Sequence, residues 1–119
     1  MDQHFLSIEQ FDELLHQWIG FPIIIEKIEL QDKDEIQMHL DHINYAKNTP
    51  SEDGYQGIYA LQLNGEGTIQ TMNDNQPLPE HIYEIPIEET SLYEFNGSQF
   101  LLSTERGIYK MKRLEKELR

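Results

Sequence analysis

Leu92-Tyr93-Glu94-Phe95-Asn96-Gly97-Ser98-Gln99-Phe100-Leu101-Leu102 is the stretch on which the fold turns. Aromatic and aliphatic runs flank Asn96-Gly97, a dipeptide that tolerates the two positive φ angles of a type I′ turn, so the stretch reads as a β-hairpin. A tight turn sets Phe95 opposite Ser98, Tyr93 opposite Phe100 and Leu92 opposite Leu101. Alternation then gathers Tyr93, Phe95, Phe100 and Leu102 on one face, with Leu92 and Leu101 on the other. Apolar residues on both faces need cover on both sides, which another part of the sheet, the C-terminal segment or a partner chain would supply.

Downstream, Ile108–Lys112 is expected as the next strand. Pairing Leu102 with Tyr109 and Phe100 with Met111 keeps the faces consistent and requires a two-residue turn at Glu105-Arg106, although Gly107 favours a bulged turn shifted by one residue. Met111, Leu114 and Leu118 then recur at helical spacing, which predicts a short C-terminal helix.

Upstream, Tyr55–Leu63 and Thr68–Met72 read as strands on either side of Asn64-Gly65-Glu66-Gly67, taken as a hairpin turn. Asn73–Pro79 reads as a polar crossing segment, and Ile82–Ile87 as a strand whose Pro86 favours a sheet edge, because proline has no N–H for a second neighbour. Pro22–Leu30 is rich in β-branched residues, Gln31-Asp32-Lys33-Asp34 reads as a polar turn, and Ile36, Met38 and Leu40 alternate with polar residues, giving another hairpin. The alternation changes phase at His42, after which Ile43 and Tyr45 are the apolar positions, so a bulge or twist is expected there. Asn48–Gly54 is a loop by composition.

At the N-terminal end, Ser7 and Gln10 form the S-x-x-Q pattern of a capping box and Leu6 and Phe11 are spaced as a hydrophobic staple. Ile8, Phe11, Leu15, Trp18 and Ile19 share one helical face, and Gly20 and Pro22 end the pattern, which predicts an amphipathic helix over residues 7–19. The chain is therefore expected to be one α+β domain, residues 1–119. Its N-terminal amphipathic helix packs on an antiparallel meander sheet of about six to eight strands, followed by a short C-terminal helix.

Composition narrows the function. No cysteine occurs, which excludes disulfides, thiolate nucleophiles and Cys-based zinc sites. The start of the chain lacks a basic segment followed by a long apolar run, and the apolar run at residues 19–25 is interrupted by Gly20 and Pro22. Neither a leader nor a membrane contact is expected, and a cytoplasmic location is the default. The formal net charge is -13. From Arg106 onward six basic residues oppose only Glu115 and Glu117, whereas the preceding part sets Lys27, Lys33 and Lys47 against twenty carboxylates. An acidic body repels phosphate, so direct nucleic-acid binding is not expected.

His39-Leu40-Asp41-His42 has metal-ligand residue types. On a strand, however, His39 and Asp41 share a face that His42 does not, and zinc needs three or four ligands. A solvated strand face accounts for the cluster more simply, and no metal or other cofactor is expected. The five serines lack a G-x-S-x-G setting, Gly65 and Gly67 lie between strands rather than before a helix, and the acidic run at Asp32–Glu35 lacks the Gly and Glu of a calcium loop. Nothing points to catalysis. Six tyrosines on or beside strands suit core edges and recognition surfaces alike.

The expected function is a non-enzymatic protein-interaction or regulatory domain, with a protein partner or a second copy of the chain as a homodimer. The alternatives are a small-ligand-binding domain with a pocket between helix and curved sheet, or an acidic nucleic-acid mimic inhibiting a DNA-binding protein. The residues assigned to the contact are Leu92, Leu101, Lys110, Lys112, Arg113 and Leu114. The leucines would be buried against the C-terminal segment or a neighbour, and the basic side chains would choose partner and orientation.

Overall fold

A computed structural model describes residues 5–47, 59–72 and 74–114. Along them run β1 (Phe5–Leu6), α1 (Ile8–His16), β2 (Pro22–Glu29), β3 (Asp32–His39), β4 (His42–Lys47), β5 (Tyr59–Asn64) and β6 (Gly67–Gln70). Then follow β7 (Asn75–Pro77), a 3-10 turn (Pro79–His81), β8 (Ile82–Ile87), β9 (Leu92–Phe95), β10 (Gln99–Ser103) and β11 (Ile108–Arg113). Every pairing is antiparallel. One sheet has eight strands in the order β1-β9-β10-β11-β2-β3-β6-β7, and the other has three, β4-β5-β8. The protein is thus mostly β, with an N-terminal helix.

Both arms of the capping box form: the Ser7 hydroxyl accepts the Gln10 N–H at 3.1 Å, and the Gln10 side chain accepts the Ser7 N–H at 2.9 Å. The helix has only nine residues, a length at which intrinsic propensity is marginal in water. Its stability comes from packing on the inner face of the large sheet. The Phe11 ring lies 4.8 Å from Tyr93 and 5.2 Å from Phe100, and Trp18 lies 4.7 Å from Phe100. Burying each such side chain contributes about 1.5–3 kcal/mol.

The phase change at His42 is a strand changing sheets. β3 continues into β4 through Leu40-Asp41, and β5 into β6 through Gly65-Glu66, so two long strands bend side by side from one sheet into the other. At the bend the His39 N–H donates to the Glu66 carbonyl (2.9 Å) and the Asp41 N–H to the Asn64 carbonyl (2.8 Å). The segment Asn64–Gly67, expected as a hairpin turn, is this corner: β5 pairs with β4 and β8, β6 with β3 and β7. A Cβ at Gly65 would overlap the His39 carbonyl oxygen, and one at Gly67 the Gln37 carbonyl oxygen, so the second strand passes only as glycine. The corner folds the small sheet back onto the core, where Ile43, Leu61, Leu63 and Ile85 join Phe11, Ile23, Ile25 and Phe100 in one buried cluster.

The hairpins keep their faces but not all of their registers. Phe95 pairs with Phe100 and Tyr93 with Leu102, a slip of two residues from the tight-turn register, which preserves alternation. The Asn96 side chain causes it by accepting the N–H groups of Ser98 and Gln99, both at 2.9 Å, which widens the loop. Between β10 and β11 the pairs are Leu102 with Tyr109 and Phe100 with Met111, as the face pattern requires. There the Thr104 hydroxyl oxygen accepts the N–H groups of Arg106 and Gly107 and holds the two-residue turn.

Three further expectations are corrected, and one strand is added. The β2–β3 turn lies at Leu30-Gln31 rather than Gln31–Asp34, because Asp32, Lys33 and Asp34 already pair with Glu29, Ile28 and Lys27 at the end of the hairpin, where Asp32 and Lys33 are exposed on both faces. Asn75–Pro77, read as part of a crossing segment, adds to the large sheet beside β6. Phe5–Leu6, not read as a strand, pairs with β9. The C-terminal helix does not begin within the described residues: the chain is strand through Arg113, and the Leu114 N–H still donates to the Pro22 carbonyl at 2.8 Å. The rest of that helix, the loop Asn48–Gly54 and the first part of the strand expected from Tyr55 lie outside the described residues.

Candidate binding cleft

Three parts of the fold enclose a cleft of about 580 Å³: the first turn of α1, the β4–β5–β8 sheet, and the turn from β8 to β9. Leu6, Ile8 and Ile87 supply its apolar surface, Tyr45, Tyr59 and Tyr93 its aromatic surface, and Glu9, Asp12, Glu88 and Glu89 its carboxylates. Among the described residues that line it there is no lysine or arginine.

Local chemistry sets each wall. The Ser7 cap starts the helix so that Glu9 and Asp12 fall in its opening turns. Asp12 accepts a 2.6 Å hydrogen bond from the Tyr45 hydroxyl, which ties the small sheet to the helix. On the opposite wall the nearly buried Ser91 hydroxyl accepts the Glu88 N–H (3.0 Å) and donates to the Glu88 carboxylate (2.9 Å). That carboxylate also accepts the Glu105 N–H at 3.2 Å. Glu88 and Asp12 are therefore held, whereas Glu9 and Glu89 are exposed and their carboxylates make no hydrogen bond or ion pair among the described residues.

Burial, helped by the bond to Asp12, holds the Tyr45 hydroxyl far above the ordinary phenol range. Burial, with the Glu88 charge nearby, pushes Tyr93 up to about 12. Both are neutral at physiological pH. A cation entering the cleft meets carboxylates and aromatic faces, both of which attract it, while an aliphatic stem can lie on the apolar surface. An anionic ligand meets repulsion from the four carboxylates.

The residues singled out from the sequence lie elsewhere. Leu92, Leu101, Lys110 and Lys112 come together on the outer face of the large sheet, away from α1. Arg113 alternates to the inner face, its guanidinium 4.4 Å above the Phe21 ring, and Leu114 is half-buried beyond the end of β11. His39 and Asp41 do share a face, with His39 Nδ1 2.8 Å from Asp41 Oδ1, while His42 begins β4. The fold adds Glu66, Glu80 and His81 to the same hollow of about 400 Å³. Among the described residues no group of three or more His, Asp or Glu side chains is arranged to hold a metal ion.

A pocket between helix and sheet was one alternative read from the sequence, but of the residues lining the cleft only the tyrosines, three of the six noted on or beside strands, were singled out as recognition surface. Its carboxylates come from residues 9, 12, 88 and 89, which in the sequence look like ordinary solvated surface.

Fold and cleft define a class: a mostly antiparallel β protein with one capped helix and an acid-ringed, tyrosine-walled cleft. Within it, the chain belongs to the YmzB-like protein family, whose model matches residues 4–116. It is similar to the uncharacterized protein YmzB of Bacillus subtilis (strain 168), at 33% identity over 107 residues covering 84% of this chain and 89% of that protein. No solved structure matches the chain. Among the described residues no helix is long and apolar enough to cross a membrane.

Proposed function

We propose that the protein is a non-catalytic interaction domain of the cytoplasm that holds a basic, apolar-stemmed segment of a protein partner in the cleft between α1 and the small sheet. The observation that supports this reading is the combination of apolar surface, three tyrosines and four carboxylates in one cleft, with no lysine or arginine among the described residues lining it. Its volume lies within the roughly 300–1,000 Å³ typical of ligand sites, enough for one or two side chains. Arginine suits it best, since the guanidinium pairs with carboxylates and stacks on tyrosine while its stem covers Leu6, Ile8 or Ile87. Tyrosine and arginine are also the residue types that concentrate binding energy at protein contacts.

The test is a synthetic peptide of alternating arginine and leucine, titrated against the protein beside its glutamate-leucine counterpart. Saturable binding of the basic peptide and none of the acidic one are expected. The double variant Glu9→Lys, Glu89→Lys should bind at least about tenfold more weakly. A control with the same charge change on β3, away from the cleft, Glu35→Lys with Asp32→Lys, should bind nearly as wild type. Equal loss in both variants would mean that net charge alone attracts the peptide, and no loss in either would remove the cleft from the function.

A further inference from the structure

We infer that the outer face of the eight-stranded sheet is a contact between two copies of this chain, related by a two-fold axis that runs along β10. At one level, from β1 to β2, this face carries Phe5, Glu94, Leu101, Lys110 and Glu26 on successive strands. At the next level it carries Leu92, Ser103, Ile108 and Ile28. Phe5, Leu92 and Ile108 are 53%, 47% and 40% exposed, and Leu101 and Ile28 are half-buried. Scattered exposed apolar residues are normal, but these stand on strands roughly 5 Å apart and form one patch.

Two sheets stacked face to face about a two-fold parallel to the strands keep the level of each residue and reverse the strand order. An axis over β10 sets Leu101 on the second copy's Leu101, Ile108 on its Leu92, and Lys110 on its Glu94. The last two contacts occur twice by symmetry. Moving the axis half a strand toward β11 sets Glu26 against Glu94, two carboxylates, and centring it on β11 sets Lys110 against Lys110. Like charges at a contact disfavour those registers, the first less strongly because Lys33 Nζ lies 3.5 Å from Glu26, and complementary charges favour the one along β10. Neither Lys110 nor Glu94 makes an ion pair among the described residues. Packed sheets cross at about 30°, which disturbs least the contacts on the axis and one strand from it, where these residues lie. The inference uses no residue of the cleft and stands or falls apart from the function proposed above.

Sedimentation of the full chain tests it. At about 0.1 mM the protein should have the mass of a dimer. Lys110→Glu and Glu94→Lys should each weaken association at least about tenfold with an unchanged circular dichroism spectrum, and the double variant should restore it, as coupled sites do. A monomeric wild type, or a dimer indifferent to both single changes, overturns the contact. A double variant as weak as the singles overturns the axis along β10.

Discussion

Asn64-Gly65 and Asn96-Gly97 are the same dipeptide, each between two apolar runs, and the chain uses them in opposite ways. Both glycines take positive φ, 154° and 99°. Around Gly97 a Cβ would meet nothing within 4 Å, because the residue sits at the tip of a solvated hairpin. At Gly65 a Cβ would overlap the His39 carbonyl oxygen, because here one strand presses against its neighbour while both change sheets. The dipeptide supplies a glycine free to take positive φ, with different values at the two sites; whether it serves a hairpin or a corner depends on which strand lies beside it.

Substitutions separate the two uses, and urea midpoints measure them. Gly65→Ala should cost about 3 kcal/mol or more, since the overlap is with backbone that cannot turn aside. A cost no larger than that at Gly97 would break the distinction. Gly67→Ala, which meets the Gln37 carbonyl and the Met38 side chain, should follow at about 2 kcal/mol. Gly97→Ala should cost only about 1 kcal/mol, the conformational penalty of a left-handed residue in open space. Leu30 sharpens the comparison from the other side: it is 95% exposed at φ 55°, a position suited to glycine that lacks it. Leu30→Gly should therefore stabilise the protein, by about 0.5 kcal/mol after the added freedom of the unfolded chain is subtracted.

What was legible in the sequence was local. The Ser7–Gln10 capping box, the helical stripe through Phe11 and Leu15, the edge strand containing Pro86 and the faces of the β9–β10–β11 meander follow from chemistry within a few residues. Charge misled at Asp32–Asp34, where the exposed end of a hairpin tolerates what a turn would also carry. The corner was half visible, as the phase change at His42. Its other half, at Gly65 and Gly67, resembled a hairpin because nothing in the sequence tells which strand will lie beside a glycine. The cleft was least visible, since its walls come from residues 6–12, 45, 59 and 87–93 and meet only once the corner has turned the small sheet toward α1.

That corner carries β4 and β5 with it, and so places Tyr45 and Tyr59 opposite the first turn of the helix. Backbone amide NMR of the isotope-labelled protein, titrated with the arginine-leucine peptide, tests the binding cleft most directly. Shifts should concentrate at Ile8, Tyr45, Tyr59, Ile87 and Glu89 and saturate together, while Leu101, Lys110 and Glu26 on the outer face stay still. Shifts spread evenly over the acidic surface, or confined to the outer face, would contradict it.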